Sequence, residues 1–121
     1  DQNSGDIKVT QILKATKEWD GSPLPPYPLK NPEISILAYE IPSGMKLPMH
    51  KHPVINAGVM LQGRLTVIAK DGKQLILNSG DSIVELVNKW HYGINQGDIP
   101  VKIIMFYVGE VGVPLVIKEN D

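Results

Sequence analysis

GMKLPMHKHPVINAGVMLQG, residues 44–63, is the stretch that decides the fold. It contains His50 and His52, two of the three histidines in the chain. Side chains two residues apart in an extended strand point to the same face, so the two imidazoles are expected to project together. Neutral imidazole is the commonest protein ligand for transition metals, and two from one strand supply half of a tetrahedral site. This stretch therefore predicts a strand that binds metal.

The spacing of residues within this stretch resembles the first of the two motifs of the cupin superfamily. That motif runs glycine, five residues, His-x-His, three or four residues, glutamate, six residues, glycine. Gly44, His50, His52 and Gly63 fall in register with it. Asn56 occupies the position of the glutamate.

A second stretch, GDSIVELVNKWHYGIN at residues 80–95, resembles the second cupin motif. That motif runs glycine, five residues, Pro-x-Gly, two residues, histidine, three residues, asparagine. Gly80, His91 and Asn95 match it, whereas Leu86 and Asn88 replace the proline and the glycine. His-x-His alone is a weak signal, but the two motifs together, in the correct order, are a strong signal for the fold.

The resemblance implies an all-β, jelly-roll β-barrel, also called a double-stranded β-helix, with a metal inside the barrel. Carried over to this chain, it implies that His50, His52 and His91 are ligands and that Asn56 offers an amide in place of the usual carboxylate. An amide oxygen is a weaker donor to a hard cation such as manganese. Three imidazoles suit zinc, nickel, copper or ferrous iron and leave positions open for water or substrate.

Short alternating and apolar runs separated by Gly, Pro, Asn and Asp independently predict an all-β sandwich or barrel. Asp71-Gly72 between two apolar runs is the strongest hairpin signal. A strand at 7–13 is expected to bury Ile7, Val9 and Leu13, and Trp19 is expected to dock this arm onto the body. The predicted strands are 7–13, 33–41, 54–61, 64–70, 74–77, 82–87, 89–94, 101–108 and 114–117.

Length and composition indicate a single domain over residues 1–121, with an N-terminal arm and proline-rich loop at 1–32 and a barrel core at 33–117. The 12 basic and 13 acidic residues are spread along the chain, so no basic patch indicates a nucleic-acid partner. No apolar run approaches the roughly 20 residues that cross a bilayer. The chain has no cysteine, which excludes disulfides and thiolate ligands.

Two expectations concern location and assembly. The polar start DQNSGD is what signal-peptide cleavage would leave, and similar small cupins look like exported bacterial proteins, so a periplasmic location is expected over a cytoplasmic one. Strand 33–41 is apolar on both faces, as expected for a strand buried between two sheets or between a sheet and a subunit neighbour. Together with the N-terminal arm it offers more hydrophobic surface than one thin barrel should expose, which predicts a homodimer.

The sequence leaves the function open between three hypotheses. The first is a metal-dependent enzyme on a small molecule, such as a dioxygenase or an isomerase. The second is a non-catalytic module that binds or senses a small ligand or a metal, and the third is a dimeric scaffold with a vacant site. Asp81 and Glu85 lie near the second motif and could act as acid or base, although carboxylates at such positions are more often on the barrel rim.

Overall fold

The computed structural model describes residues 7–27 and 30–120. Its regular structure consists of nine strands, and no helix occurs among these residues. The strands are β1 (Pro32–Ile41), β2 (His50–Lys51), β3 (Ile55–Gln62), β4 (Arg64–Ala69), β5 (Gln74–Asn78), β6 (Ser82–Val84), β7 (His91–Ile94), β8 (Val101–Glu110) and β9 (Ile117–Lys118).

Two antiparallel sheets form the body of the molecule. The first has four strands in the order β1-β8-β3-β6, and the second has five in the order β5-β4-β7-β2-β9. Successive strands alternate between the sheets in places, as they do when a jelly roll winds around itself. The predicted all-β jelly-roll barrel is confirmed. Within the described ranges, no helix is long and apolar enough to span a membrane.

The inner faces of the two sheets enclose one hydrophobic core. On β8, buried and more exposed side chains alternate, because residues two apart share a face. The inward-pointing side chains of β8 are at most 6% exposed; they are Val101, Ile103, Met105 and Tyr107. The same alternation on β3 places Asn56 and Met60 inside. The barrel interior is therefore mostly apolar, and its buried polar side chains include Asn56 and two of the histidines.

The motif glycines and one asparagine shape the turns around the site. Gly44, Gly63 and Gly80 all have φ between +80° and +90°, a conformation that glycine adopts without steric cost. Asn88 replaces the second-motif glycine and has φ +58°, which asparagine tolerates better than most residues. Asn95 is fully buried, and its amide donates to the carbonyls of Ile41 and Ile99. It holds the turn after β7.

The N-terminal arm differs from the prediction. Residues 7–13 form no strand, and Ile7, Val9 and Leu13 are 61%, 50% and 41% exposed. Alternation was sufficient to suggest a strand, but a strand needs an edge with which to pair, and within the described chain this segment finds none. Trp19 does dock on the body, since its backbone N–H donates to the carbonyl of Val84 at 2.9 Å.

Replacing Gly58 with alanine is expected to destabilise the barrel. Gly58 lies in β3 opposite Met105 of β8. An added Cβ would overlap the Ile104 carbonyl and the Met105 sulfur. Overpacking of this kind costs about 1–3 kcal/mol, and backbone atoms in the way favour the upper end. Urea unfolding of the variant measures the loss.

Gly97→Ala is the matched control for this substitution. A Cβ at Gly97 would lie 3.4 Å from Asn95 Oδ1, which is ordinary van der Waals contact. Its free energy of unfolding should stay within about 0.5 kcal/mol of wild type. An equal decrease in the free energy of unfolding of the two variants would contradict the close packing of β3 against β8.

Candidate metal centre

Three histidines from two strand regions meet inside the five-stranded sheet. His50 on β2 is directly opposite His91 on β7, and His52, two residues after His50, immediately follows β2. The ring centroids of His50 and His91 are 4.5 Å apart, and each is 5.0 Å from that of His52. The predicted convergence of the three imidazoles is confirmed.

Main-chain carbonyls fix the orientation of all three rings. Nδ1 of His50 lies 2.7 Å from the Pro48 carbonyl, Nδ1 of His52 lies 2.9 Å from that of Leu115, and Nδ1 of His91 lies 2.9 Å from that of Lys89. A carbonyl only accepts, so each Nδ1 carries the proton and donates it. In a neutral ring held in this way, Nε2 keeps a lone pair for a metal, and such second-shell bonds are the usual support of metal-binding histidines.

The donor set fits a divalent transition metal. One nitrogen from each of His50, His52 and His91 lies within 4.8 Å of the other two. His91 Nε2 is buried and has no hydrogen-bond partner in the described part of the chain. A buried nitrogen whose contact is a 3.4 Å ion pair with Glu85 is incompletely satisfied, and a bound cation would satisfy it. These three side chains are the ones that would hold the ion.

Burial and one carboxylate set the protonation of the cluster. Burial lowers the pKa of His50 and lowers that of His52 to about 4, against the opposing effect of Glu85. Burial also lowers the pKa of His91, but Glu85 raises it by more, so the net direction is upward. His50 and His52 are consequently neutral near pH 7, which is the protonation state that ligates metals.

Asn56 lies inside the barrel, at the position where the first motif has glutamate. Its side chain is fully buried, and its Nδ2 donates to the Val54 carbonyl at 2.9 Å. Its Oδ1 has no hydrogen-bond partner among the described residues. Asn56 is not among the residues that line the cavity beside the histidines.

A cavity of about 250 Å³ adjoins the cluster, and His50, His52 and Glu85 form its polar side. The remaining wall is mostly apolar, with one lysine, Lys118. Tyr39 and Tyr107 also line it, and their hydroxyls are 2.5 Å apart. Burial, followed by the bond to Tyr39, raises the pKa of Tyr107, so its hydroxyl stays neutral and can exchange a hydrogen bond with a bound molecule.

Glu85 is the buried carboxylate of the cavity, and sequence reasoning placed it wrongly. The barrel rim is the usual position for a carboxylate near this motif, but Glu85 is only 7% exposed and faces the cavity. Burial raises its pKa, but His91, His52 and the Leu86 amide lower it by more, to about 2, so the group is ionised. Glu85 Oε2 lies 3.4 Å from His91 Nε2, as an ion pair. Asp81, by contrast, is exposed.

A family model described as "Cupin domain" matches residues 38–107, more than half of the chain. The chain belongs to the cupin family. The match begins within β1, ends within β8 and includes all three histidines of the candidate metal centre. A comparison with curated proteins finds no match to this cupin.

Solved structures share the cupin fold at low identity. The DMSP lyase DddQ from Ruegeria pomeroyi has a TM-score of 0.62 and 17% identity, over 71% of this chain and 43% of that one. An oxalate decarboxylase from Lactobacillus farciminis has a TM-score of 0.62 and 24% identity, over 72% and 27%. A salicylate 1,2-dioxygenase from Pseudoaminobacter salicylatoxidans has a TM-score of 0.56 and 16% identity, over 61% and 22%. This cupin spans less than half the length of each of these three proteins, and their activities differ.

Proposed function

We propose that this cupin binds a divalent transition metal through His50, His52 and His91 and acts on a small molecule held in the adjoining cavity. The observation that carries the proposal is the set of three Nδ1–carbonyl bonds, which turn three Nε2 atoms toward one another at the polar end of an apolar cavity. The candidate ions are zinc, nickel, copper, iron and manganese; three neutral imidazoles suit the first four better than manganese and leave positions open.

When bound, the metal would supply Lewis-acid or oxygen-binding chemistry, as in a dioxygenase or an isomerase. The protein's own groups have separate tasks. Tyr107 and Tyr39 offer a neutral hydroxyl pair that can orient a polar group of the substrate. Glu85 is ionised and places a fixed negative charge beside the histidines, where it can stabilise a cation. The apolar wall of the cavity excludes water from the rest of the bound substrate.

The cavity favours a small and largely apolar substrate with one metal-binding oxygen or sulfur. Its volume of about 250 Å³ lies below that of ordinary drug-sized sites. Ile41, Leu47, Leu65, Ile103 and Met105 supply much of the wall. The anionic Glu85 opposes a second negative charge on the substrate. A thiol or a diketone-like compound therefore fits this chemistry better than a dicarboxylate does.

Metal analysis followed by turnover assays tests the proposed function. Protein purified without a histidine tag should contain, or take up, one divalent transition metal per chain by elemental analysis. Metal-loaded protein should then convert a small thiol or diketone, measured by oxygen uptake or product formation. Wild-type protein that takes up no metal would contradict the metal site, and loaded protein without turnover would contradict only the enzymatic part.

A non-catalytic binding or sensing module is the second candidate. The neutral Asn56 at the glutamate position favours it, because a weaker site is suited to reversible occupation. In that case a small ligand or a metal should raise the melting temperature without being converted. The predicted periplasmic location stays a prediction.

We further propose that the cupin is a homodimer through the outer face of the four-stranded sheet. Ile36 on β1 and Phe106 on β8 are cross-strand partners there and are 59% and 45% exposed, next to Ile34 at 65%. An exposed apolar surface of this kind usually marks an interface. A two-fold pair of identical faces is the default assembly.

Light scattering at micromolar concentration should give the mass of two chains. Ile36→Lys places a charge in the centre of the face and should shift the protein to the monomer. Ile76→Lys is the control, because Ile76 is 46% exposed but lies on β5, in the other sheet. A wild-type monomer, or equal dissociation by both variants, would contradict this interface.

A further inference from the structure

The buried carboxylate of this site lies one strand away from the position of Asn56. Ala57 on β3 pairs with Val84 on β6, and the Glu85 N–H donates to the Asn56 carbonyl at 2.9 Å. Asn56 and Glu85 are therefore opposite each other. Opposite residues of an antiparallel pair share a face, so both side chains point into the barrel. The neutral Asn56, at the position where the first motif has glutamate, is thus adjacent to the negatively charged Glu85.

Two hydrogen bonds hold the Glu85 carboxylate in place, and both end on the same oxygen. Oε1 accepts from Trp19 Nε1 at 2.9 Å and from the Leu86 backbone N–H at 3.0 Å. Proline, which the second motif has at position 86, would lack that N–H. Oε2 makes neither bond and is the oxygen nearest His91. One oxygen anchors the group, and the other remains available toward the histidines.

The distance from Oε2 to His91 Nε2 fits two ligands of one ion. Two atoms bound to a tetrahedral metal at about 2.0–2.2 Å lie about 3.3–3.6 Å from each other. The observed distance is 3.4 Å, and His91 Nε2 has no hydrogen-bond partner in the described chain. The pair therefore has the spacing of a shared cation. Glu85 also lines the cavity with His50 and His52, but its oxygens lie outside the cluster in which the three histidine nitrogens are within 4.8 Å of one another. Ligation therefore requires the carboxylate to move toward the ion.

We infer that Glu85, projecting from the segment after β6, is the fourth ligand of the metal centre and supplies the carboxylate that position 56 lacks. The inference depends on the three-histidine site proposed above. It changes the expected character of that site, from three neutral ligands to three neutral ligands and one anion. A carboxylate favours harder cations, so manganese and ferrous iron should bind better than an all-imidazole site allows.

Binding of Mn²⁺ and Zn²⁺ to wild type and Glu85→Gln, measured by titration calorimetry, tests the inference. Glutamine can still accept from Trp19 and Leu86, so the fold should be kept. Mn²⁺ affinity should fall about ten- to a hundredfold and Zn²⁺ affinity by clearly less, because only a direct ligand changes the preference between metals. Equal losses for the two metals would show that Glu85 only orients His91, and would overturn the inference, as would no loss.

Glu18→Gln is the matched control. Glu18 is also a buried carboxylate, but it bonds the Val87 N–H and lies 3.7 Å from Lys89, and it does not line the cavity. Its metal preference should equal that of wild type.

A crystal structure of manganese-loaded wild type gives a readout that needs no variant. Glu85 Oε2 within about 2.2 Å of the ion supports the inference, and an ion held by the histidines with Oε2 beyond about 3 Å overturns it. Wild type that binds neither metal would overturn the proposed metal site as well, so the two failures are distinguishable.

Discussion

His91→Ala is expected to abolish stoichiometric metal binding and to destabilise the metal-free protein at the same time. His91 is one of three nitrogens in the cluster and is also the partner of the buried Glu85 carboxylate. Removing one member of a buried ion pair leaves an uncompensated charge and costs about 3–5 kcal/mol. Elemental analysis measures the first effect, and urea unfolding in the presence of a chelator measures the second.

His50→Ala separates the two effects. It should also abolish metal binding, because it removes a ligand from the same cluster. His50 is only half-buried, and its removal leaves the pair between Glu85 and His91 intact. Its metal-free stability should therefore fall much less. Retention of full metal content after substitution of all three histidines would show that the assigned site is wrong.

Asn56→Glu is expected to make the metal-free protein unstable and to make it strongly dependent on manganese. The new carboxylate would lie opposite the ionised Glu85 in a fully buried position. Two like charges in such surroundings cost about 3–5 kcal/mol, as other unpaired buried charges do. An added anionic ligand should in turn strengthen Mn²⁺ binding by about 1.5–3 kcal/mol, roughly ten- to a hundredfold. Unfolding with chelator and with Mn²⁺, together with calorimetry, measures both changes.

Asn56→Gln distinguishes charge from size in this experiment. Glutamine has the length of glutamate but no charge. The free energy of unfolding of this variant should therefore fall only through overpacking, by about 1–3 kcal/mol. It should not gain affinity for Mn²⁺. Unchanged Mn²⁺ affinity in Asn56→Glu would show that side chains at position 56 do not reach the ion. The site would then consist of the histidines with or without Glu85.

The three histidines could be predicted from the sequence because two of them share a local strand geometry and the third lies at a motif position. His50 and His52 share a face through the two-residue period of a strand, and His91 is at the matching position of the second motif. The Pro48 and Lys89 carbonyls that orient two of the rings are only two residues away from those histidines. The approximate boundaries of most strands between residues 33 and 117 could also be predicted, because they follow from turn residues that are close in the sequence.

Glu85 and the N-terminal arm could not be predicted, because both depend on contacts distant in the sequence. The burial of Glu85 follows from the pairing of β3 with β6 and from Trp19, 66 residues away. The alternation of residues 7–13 describes one strand but carries no information about its partner. Only the fold shows that this segment has no pairing edge within the described chain.

The main-chain anchoring of the three imidazoles makes the site unusually tolerant to mutation. The acceptors are the carbonyls of Pro48, Lys89 and Leu115, and every amino acid provides a carbonyl. In a saturation mutagenesis scan, most replacements at these three positions should keep metal binding, provided that the backbone does not move. Sensitivity should be concentrated in the histidines themselves. The centre could thus persist while the surrounding sequence diverges, and new cavity walls could be selected without first repairing the metal site.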